Sequence, residues 1–188
     1  MIMSEFTKAD ITIGSDSTAG QKVERKYLVT LVGERGGTDY AKMKWTPVGF
    51  GVEDSSIEFN PDTKTVTDVL GITETTVNKL EPEQDFDPCT VKTGSELHSK
   101  LLDIIERNAV SEFSQFPVMI VRSYLNDGTD TAPKYHAEIH KNCTITPQSE
   151  GGSSYVDIPI NINFSNDKTL GTVNSYKYND TITFTALS

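Results

Sequence analysis

Few side chains in this 188-residue chain have types and spacing that chemistry could use. His136 and His140 stand four apart. On a helix that spacing would offer a metal pair; on a strand it sets them about 13 Å apart, too far to share one ion. His98 belongs to the polar side of a predicted helix. Cys89 and Cys143 have no CxxC partner and read as reduced, structural thiols. The acids of Glu81–Pro88, EPEQDFDP, sit at alternate positions and offer oxygen ligands for a hard cation. Pro82 and Pro88 already account for an extended, solvated loop there. Asn126-Asp127-Gly128-Thr129-Asp130 has the flavour of a calcium loop but lacks the spaced ligands and the terminal Glu, so it reads as a turn. Gly33, Gly36 and Gly37 do not form a dinucleotide-binding fingerprint. No Ser, Cys or Asp lies in a nucleophile motif. The expectation is a protein without catalytic centre, metal or cofactor.

The elements that would position such residues are mostly strands. Thr93 to about Phe113 is the one helical stretch. Thr93 and Glu96 have capping-box spacing, and Leu97, Leu101, Ile104 and Ile105, with Leu102 beside them, form an apolar stripe that needs a surface to cover it. Strands are predicted at Glu24–Val32, Lys42–Val48, Ile72–Leu80, Phe116–Leu125, Lys134–Ile145, Tyr155–Phe164 and Thr181–Leu187. Ser56–Asn60 and Thr65–Val69 read as a hairpin around the turn Asn60-Pro61-Asp62-Thr63-Lys64. The fold class is mainly β: a β-sandwich or half-barrel flanked by one α-helix. Residues 1–20 read as an N-terminal arm and 21–188 as a single domain.

The formal net charge is −10. Between Glu53 and Asp87 ten acids face only Lys64 and Lys79, a local charge of −8. Gripping nucleic acid requires cations to neutralise phosphates, and an anionic membrane surface repels such a protein. No apolar run is long enough to span a bilayer. The opening residues lack the apolar core of an export signal, so no Sec export is expected.

Lys44-Trp45, Gly49-Phe50-Gly51 and Glu58-Phe59-Asn60-Pro61-Asp62-Thr63, followed by a Thr-rich strand, appear in that order. After them come the helix at Gly94 to Asn108, Gly151-Gly152, Val156-Asp157-Ile158-Pro159-Ile160 and Gly171-Thr172-Val173. Together these segments, from Lys42 to Val173, resemble the major tail tube proteins of long-tailed bacteriophages, whose fold is shared with contractile injection and type VI secretion tubes. The resemblance implies hexameric rings stacked into a tube, with strands of neighbouring subunits joined into an intersubunit β-barrel. It implies a virion-tail location after assembly in the host bacterial cytoplasm, and a role in delivering DNA. Its implied partners are further copies of the chain, a tape-measure protein, tail terminator and baseplate or tip proteins, and a sheath where the tail contracts. DNA would pass without specific binding, and no membrane is involved.

Set beside the alternation of the strands, the resemblance makes the hairpin around Ile57, Phe59, Asn60, Pro61 and Asp62 part of the inner barrel wall. Glu58, Asp157 and Asn161 are expected to face the lumen, where carboxylates repel phosphates. The arm and the loop Glu34–Tyr40 are expected to pack on neighbouring subunits. The alternative class is a β-sandwich module of a phage or cell surface that binds carbohydrate or protein.

Overall fold

The computed structural model describes residues 20–187; the expected arm therefore lies outside the described residues, apart from Gly20. Among the described residues the fold is mainly β, with one α-helix, and the strands close no barrel. In chain order the strands are β1 Leu28–Val32, β2 Thr46–Pro47, β3 Ile57–Glu58, β4 Pro61–Thr67, β5 Thr73–Leu80 and β6 Glu83–Phe86. The helix α1, Glu96–Glu106, comes next. It is followed by β7 Phe116–Asn126, β8 Tyr135–Pro147, β9 Ile160–Asn163, β10 Lys168–Val173 and β11 Phe184–Ala186.

The centre is β7. Its apolar run is continuous because both faces are covered. Val118 and Ile120 point into one core, Met119 and Val121 into another. β1 pairs along one edge of β7 and β8 along the other, all antiparallel. β2 extends the sheet beyond β1, while β10 and then β11 extend it beyond the first half of β8. β10 was not expected as a strand: Gly171 interrupts its apolar pattern, and any Cβ there would strike Phe184 and Thr185 of β11.

β8 serves two sheets. Phe116 faces Cys143 and Val118 faces His140, so two residues of β7 oppose three of β8. That is a β-bulge, and Asn142 within it takes a positive φ of 53°. The bulge reverses the inward parity. Ala137 and Ile139 enter the second core, yet Cys143 and Ile145 enter the first. The second half of β8 pairs with β9, which pairs with β6, which pairs with β3. Helix α1 closes the first core with Leu97, Leu101 and Ile104.

Several expected boundaries change. The helix is capped by Ser95, whose side chain accepts from the His98 backbone N–H, and not by Thr93. Glu96 reaches Lys44 at 2.6 Å instead of completing a capping box. The helix ends at Glu106, and Val110–Ser114 is a separate 3₁₀ turn, because Asn108 turns into the left-handed region at φ 54°. His98, expected on the polar side, is buried. Only Thr46–Pro47 of Lys42–Val48 forms a strand. Tyr155–Phe164 is a strand only over Ile160–Asn163, and Val156 is exposed.

Two corrections bear on function. The acid-rich stretch expected to be a loop contains β6, with Gln84 and Phe86 inward and Asp85 outward. Alternating acids thus mark the wet face of a strand. The expected hairpin turn at Asn60–Lys64 does not exist. β3 pairs with β6, whereas β4 pairs with β5 through a turn at residues 68–72. The Asp68 carboxylate accepts from the backbone N–H of Leu70 and of Ile72, and Gly71 takes φ 80°. This self-bonded turn outcompetes Asn60-Pro61. Asn60 instead makes the kink between β3 and β4 at φ 40°, and Pro61 begins the next strand, where no ladder donor is required.

Candidate assembly site

β3–β4 and β5–β6 form one long hairpin whose two halves meet different fates. The root, β3 with β6, belongs to the body: Ile57 packs against the first core, as does Phe86. The outer half, β4 with β5, pairs only with itself. Every residue of those two strands is exposed. The kink at Asn60 and a register shift between Asp62 and Thr63 separate the halves. An isolated two-stranded ribbon of this kind is only marginally stable in water.

Cross-strand register sorts the ribbon's faces. Thr63, Thr65 and Thr67 lie opposite Val77, Thr75 and Thr73. The hydroxyls of Thr65 and Thr75, and of Thr67 and Thr73, are each 3.0 Å apart. The opposite face carries Lys64, Val66, Glu74 and Thr76. Beyond it, the turn holds Val69, Leu70 and Ile72 at 102%, 81% and 58% exposure.

The sheet β8–β9–β6–β3 has its own two faces. Ile57, Gln84, Phe86, Ile145, Ile160 and Ile162 point to the core side. Glu58 opposes Glu83, Glu83 opposes Asn163, and Asp85 opposes Asn161. Thr144 and Thr146 complete this second face through their pairing with Asn163 and Asn161. Asn161 donates to Asp85 at 2.7 Å, and Asn60 donates to Glu83 at 2.8 Å. Two of the three lumen candidates, Glu58 and Asn161, therefore share one polar sheet face. Asp157 stands apart, in a bridge with Thr90 and Gly151, where its carboxylate accepts from the Thr90 hydroxyl at 2.8 Å. Of the hairpin candidates, Phe59 and Pro61 are exposed, and Asp62 accepts from Asn78 at 3.3 Å. Glu83 and Asp85 are the members of this face that the sequence reading missed. The signal was present in their alternation with Gln84 and Phe86.

Among the described residues neither end of that sheet has a further strand, although the 3₁₀ turn Val110–Ser114 lies by the β8 end, where the Thr144 hydroxyl donates to that of Ser114 at 2.9 Å. β3 has β6 on one side only. Past Cys143, the edge of β8 that faced β7 has no strand partner. Unpaired edges of this kind are templates for another chain.

A cleft of about 510 Å³ lies elsewhere, between β2 and the start of α1, lined among others by Trp45, Phe50, Lys92, Leu97, His98 and Tyr178. The Lys92 ammonium stands 3.4 Å from the Phe50 ring centre and 6.0 Å from that of Tyr178, a cation–π arrangement. Beside it, Cys89 Sγ is 3.7 Å from His98 Nε2, and the Ser95 hydroxyl is 2.8 Å from His98 Nδ1. Burial pushes the Cys89 thiol up to about 11 and pushes the His98 imidazole down. The sulfur is thus held as a thiol and the ring as a neutral base, the reverse of an activated ion pair. Of the other histidines, His136 meets Asp127 at 2.7 Å and His140 meets the Ser165 carbonyl at 2.6 Å. Among the described residues, no three His, Cys, Asp or Glu side chains are placed to hold a metal ion. Among the described residues, no helix is long and apolar enough to cross a membrane.

No protein-family model and no curated protein matches this sequence. Solved structures do. The chain is similar to the tube-terminating cap of the anti-feeding prophage, at 16% identity over 89% of this chain and 99% of that one, TM-score 0.46. It is also similar to the sheath/tube terminator of the PVC extracellular contractile injection system in the extended state, at 12% identity over 81% and 98%, TM-score 0.45. A chain of the sheath–tube complex of that system aligns at 14% identity over 93% and 99%, TM-score 0.44.

Proposed function

We propose that this chain is a structural tail protein whose copies join edge to edge into hexameric rings that stack as a tube for DNA delivery. The observation that carries the reading is the four-stranded sheet β8–β9–β6–β3, without a strand neighbour at either end among the described residues and polar on one face. Pairing β3 and the ribbon of one copy with the Thr144–Pro147 edge of the next would satisfy both edges at once. The contact is head-to-tail, because donor and acceptor edges differ, and such a contact makes a closed ring when its rotation closes. The joined sheets become an intersubunit barrel with no edge left. Their polar face, with Glu58, Asn161 and the added Glu83 and Asp85, becomes the lumen wall. Asp157 lies near the rim of that wall in this reading. A carboxylate-lined channel holds no counterion-releasing grip on passing DNA, and ions in a wide channel screen the ring of like charge. The order of tail-tube segments in the sequence supports the same assignment. It implies a tape-measure protein inside the tube, terminator and baseplate or tip proteins at its ends, and a sheath around it if the tail is contractile.

The test is direct. Purified protein, concentrated across a range of salts, is examined by negative-stain electron microscopy and sedimentation. Rings or tubes are expected; compact monomers under every condition would overturn the proposal.

A further inference from the structure

The ribbon tip and the cleft beneath α1 are a knob and a socket on one chain. We propose that the tip Val69–Leu70–Ile72 of one copy seats in the cleft bounded by Trp45, Phe50, Leu97 and Tyr178 of another copy. The proposal rests on the self-assembly reading above and names a contact that edge pairing does not supply.

Four observations carry it. Among the described residues the tip holds the two most exposed large apolar side chains, Val69 and Leu70 at 102% and 81% exposure, and its ribbon pairs with no strand of the body. Three of its four amides are already satisfied: the N–H groups of Leu70 and Ile72 donate to Asp68 at 2.8 and 2.9 Å, and Gly71 N–H donates to the Asp68 carbonyl at 3.0 Å. A turn closed in this way strands fewer amides on entering a cleft than an open loop would, and stranded amides are the main cost of burying a loop. The turn is also held in one shape before it binds. The cleft, about 510 Å³, combines aromatic and aliphatic side chains such as Trp45, Phe50, Leu97 and Tyr178 with a polar rim that includes Lys44, Lys92 and Glu96, and falls in the size range of binding sites.

Charge agrees with shape. Lys92 stands over Phe50 at the cleft with no carboxylate at ion-pair distance among the described residues. Asp68 uses one oxygen for the tip amides and makes no ion pair among the described residues. Seating the tip brings that carboxylate toward that ammonium. Because knob and socket are different surfaces of the same chain, the contact is heterologous and propagates from copy to copy.

The test uses the whole chain. Val69→Asp/Leu70→Asp should leave the circular dichroism and the melting temperature of the monomer unchanged, since neither side chain packs on the body. It should raise the concentration needed for assembly about tenfold or more, the scale set by keeping one aliphatic side chain from burial. Leu70→Cys/Tyr178→Cys, mildly oxidised with diamide, should give a ladder of disulfide-linked oligomers, while each single variant stops at dimers. Cys89 and Cys143 are buried and do not compete. If the wild type assembles and the Asp variant assembles equally well, or the double Cys variant stops at dimers, the knob-in-socket contact is refuted while the tube reading stands. If the wild type never assembles, both fall.

Discussion

The first halves of β7 and β8 and the β4–β5 ribbon are the same kind of structure, antiparallel strands in register, placed in opposite environments. The paired stretch of β7 and β8 is covered on both faces and flanked by further strands, with Val118, Met119 and Ile139 inaccessible to solvent. The ribbon has one ladder, no flanking strand and no covered face. Its side chains differ accordingly: a continuous apolar run in β7 and a threonine ladder in β4–β5. The body strands are stable because they are buried. The ribbon is held by its turn and by hydroxyl pairs, which contribute only a few tenths of a kcal/mol each. In the assembly proposed above, the polar ribbon and its apolar tip meet a second copy of the chain.

The largest expected break in the comparison is at Phe116, fully buried where β7 meets the bulge. Phe116→Ala should cost about 4 kcal/mol through lost transfer energy and a cavity. Equilibrium denaturation in urea measures it. A cost below about 1 kcal/mol would show that the two-sided body is not as tightly packed as its burial indicates.

Next comes a charged group inside the body. Glu138 is buried, and burial alone would raise its carboxyl. The approach of His140 and the guanidinium of Arg122, with Lys168 further out, outweigh that and hold it well below the usual carboxylate range. A folded-state value below the unfolded one means stability that is fully present above about pH 4.5 and is lost as pH falls toward the folded value. Glu138→Ala leaves Arg122 and His140 without their carboxylate and should cost about 3 kcal/mol. Glu138→Gln should flatten the acid limb of a stability–pH curve below pH 4.5; an unchanged limb would assign the acid loss to other groups.

How much of this was legible in the sequence follows the same division. The body was readable where burial writes a strong pattern. β7 announces itself as a run of apolar residues, and α1 by Leu97, Leu101 and Ile104 at helical spacing. The bulge at Asn142 was invisible, because Ile139 and Cys143 keep one parity in sequence while pointing into different cores. The acids of β6 hid a strand, since alternation with only Gln84 and Phe86 inward is short. The hairpin was placed one turn too early because Asn60-Pro61 is strong local turn chemistry. Its competitor, Asp68 bonding two amides beyond it, is a geometry that composition does not display. Of the candidate site, Glu58 and Asn161 share a sheet face. Their companions Glu83 and Asp85 required the pairing β3–β6–β9, a nonlocal fact.

A smaller effect tests the helix that covers the first core. Ser95 caps α1 through the His98 N–H, and its hydroxyl also meets the His98 ring. Ser95→Ala should cost about 1 kcal/mol, read by thermal or urea unfolding, and Thr93→Ala should cost less. The opposite order would restore Thr93 as the cap. Burial holds His98 below its ordinary value, so the unfolded chain takes up the proton more readily and stability declines as pH drops through about 6.5. His98→Asn should remove that part of the slope.

The smallest expected effect is the one that isolates the ribbon. Val66, half exposed on β4 opposite Glu74, packs on no core. Val66→Thr should change monomer stability by less than about 0.5 kcal/mol, the usual range for a surface substitution. Amides of β4 and β5 should exchange with solvent far faster than those of β7, because opening a singly laddered ribbon exposes little buried surface. In assembled material the same amides should become protected, since edge pairing gives the ribbon its missing neighbour. Slow ribbon exchange in the isolated monomer, or exchange that stays fast after assembly, would remove the distinction between the buried body and the outward ribbon. The first result would make the ribbon a stable part of the body, and the second would exclude it from the contact between copies.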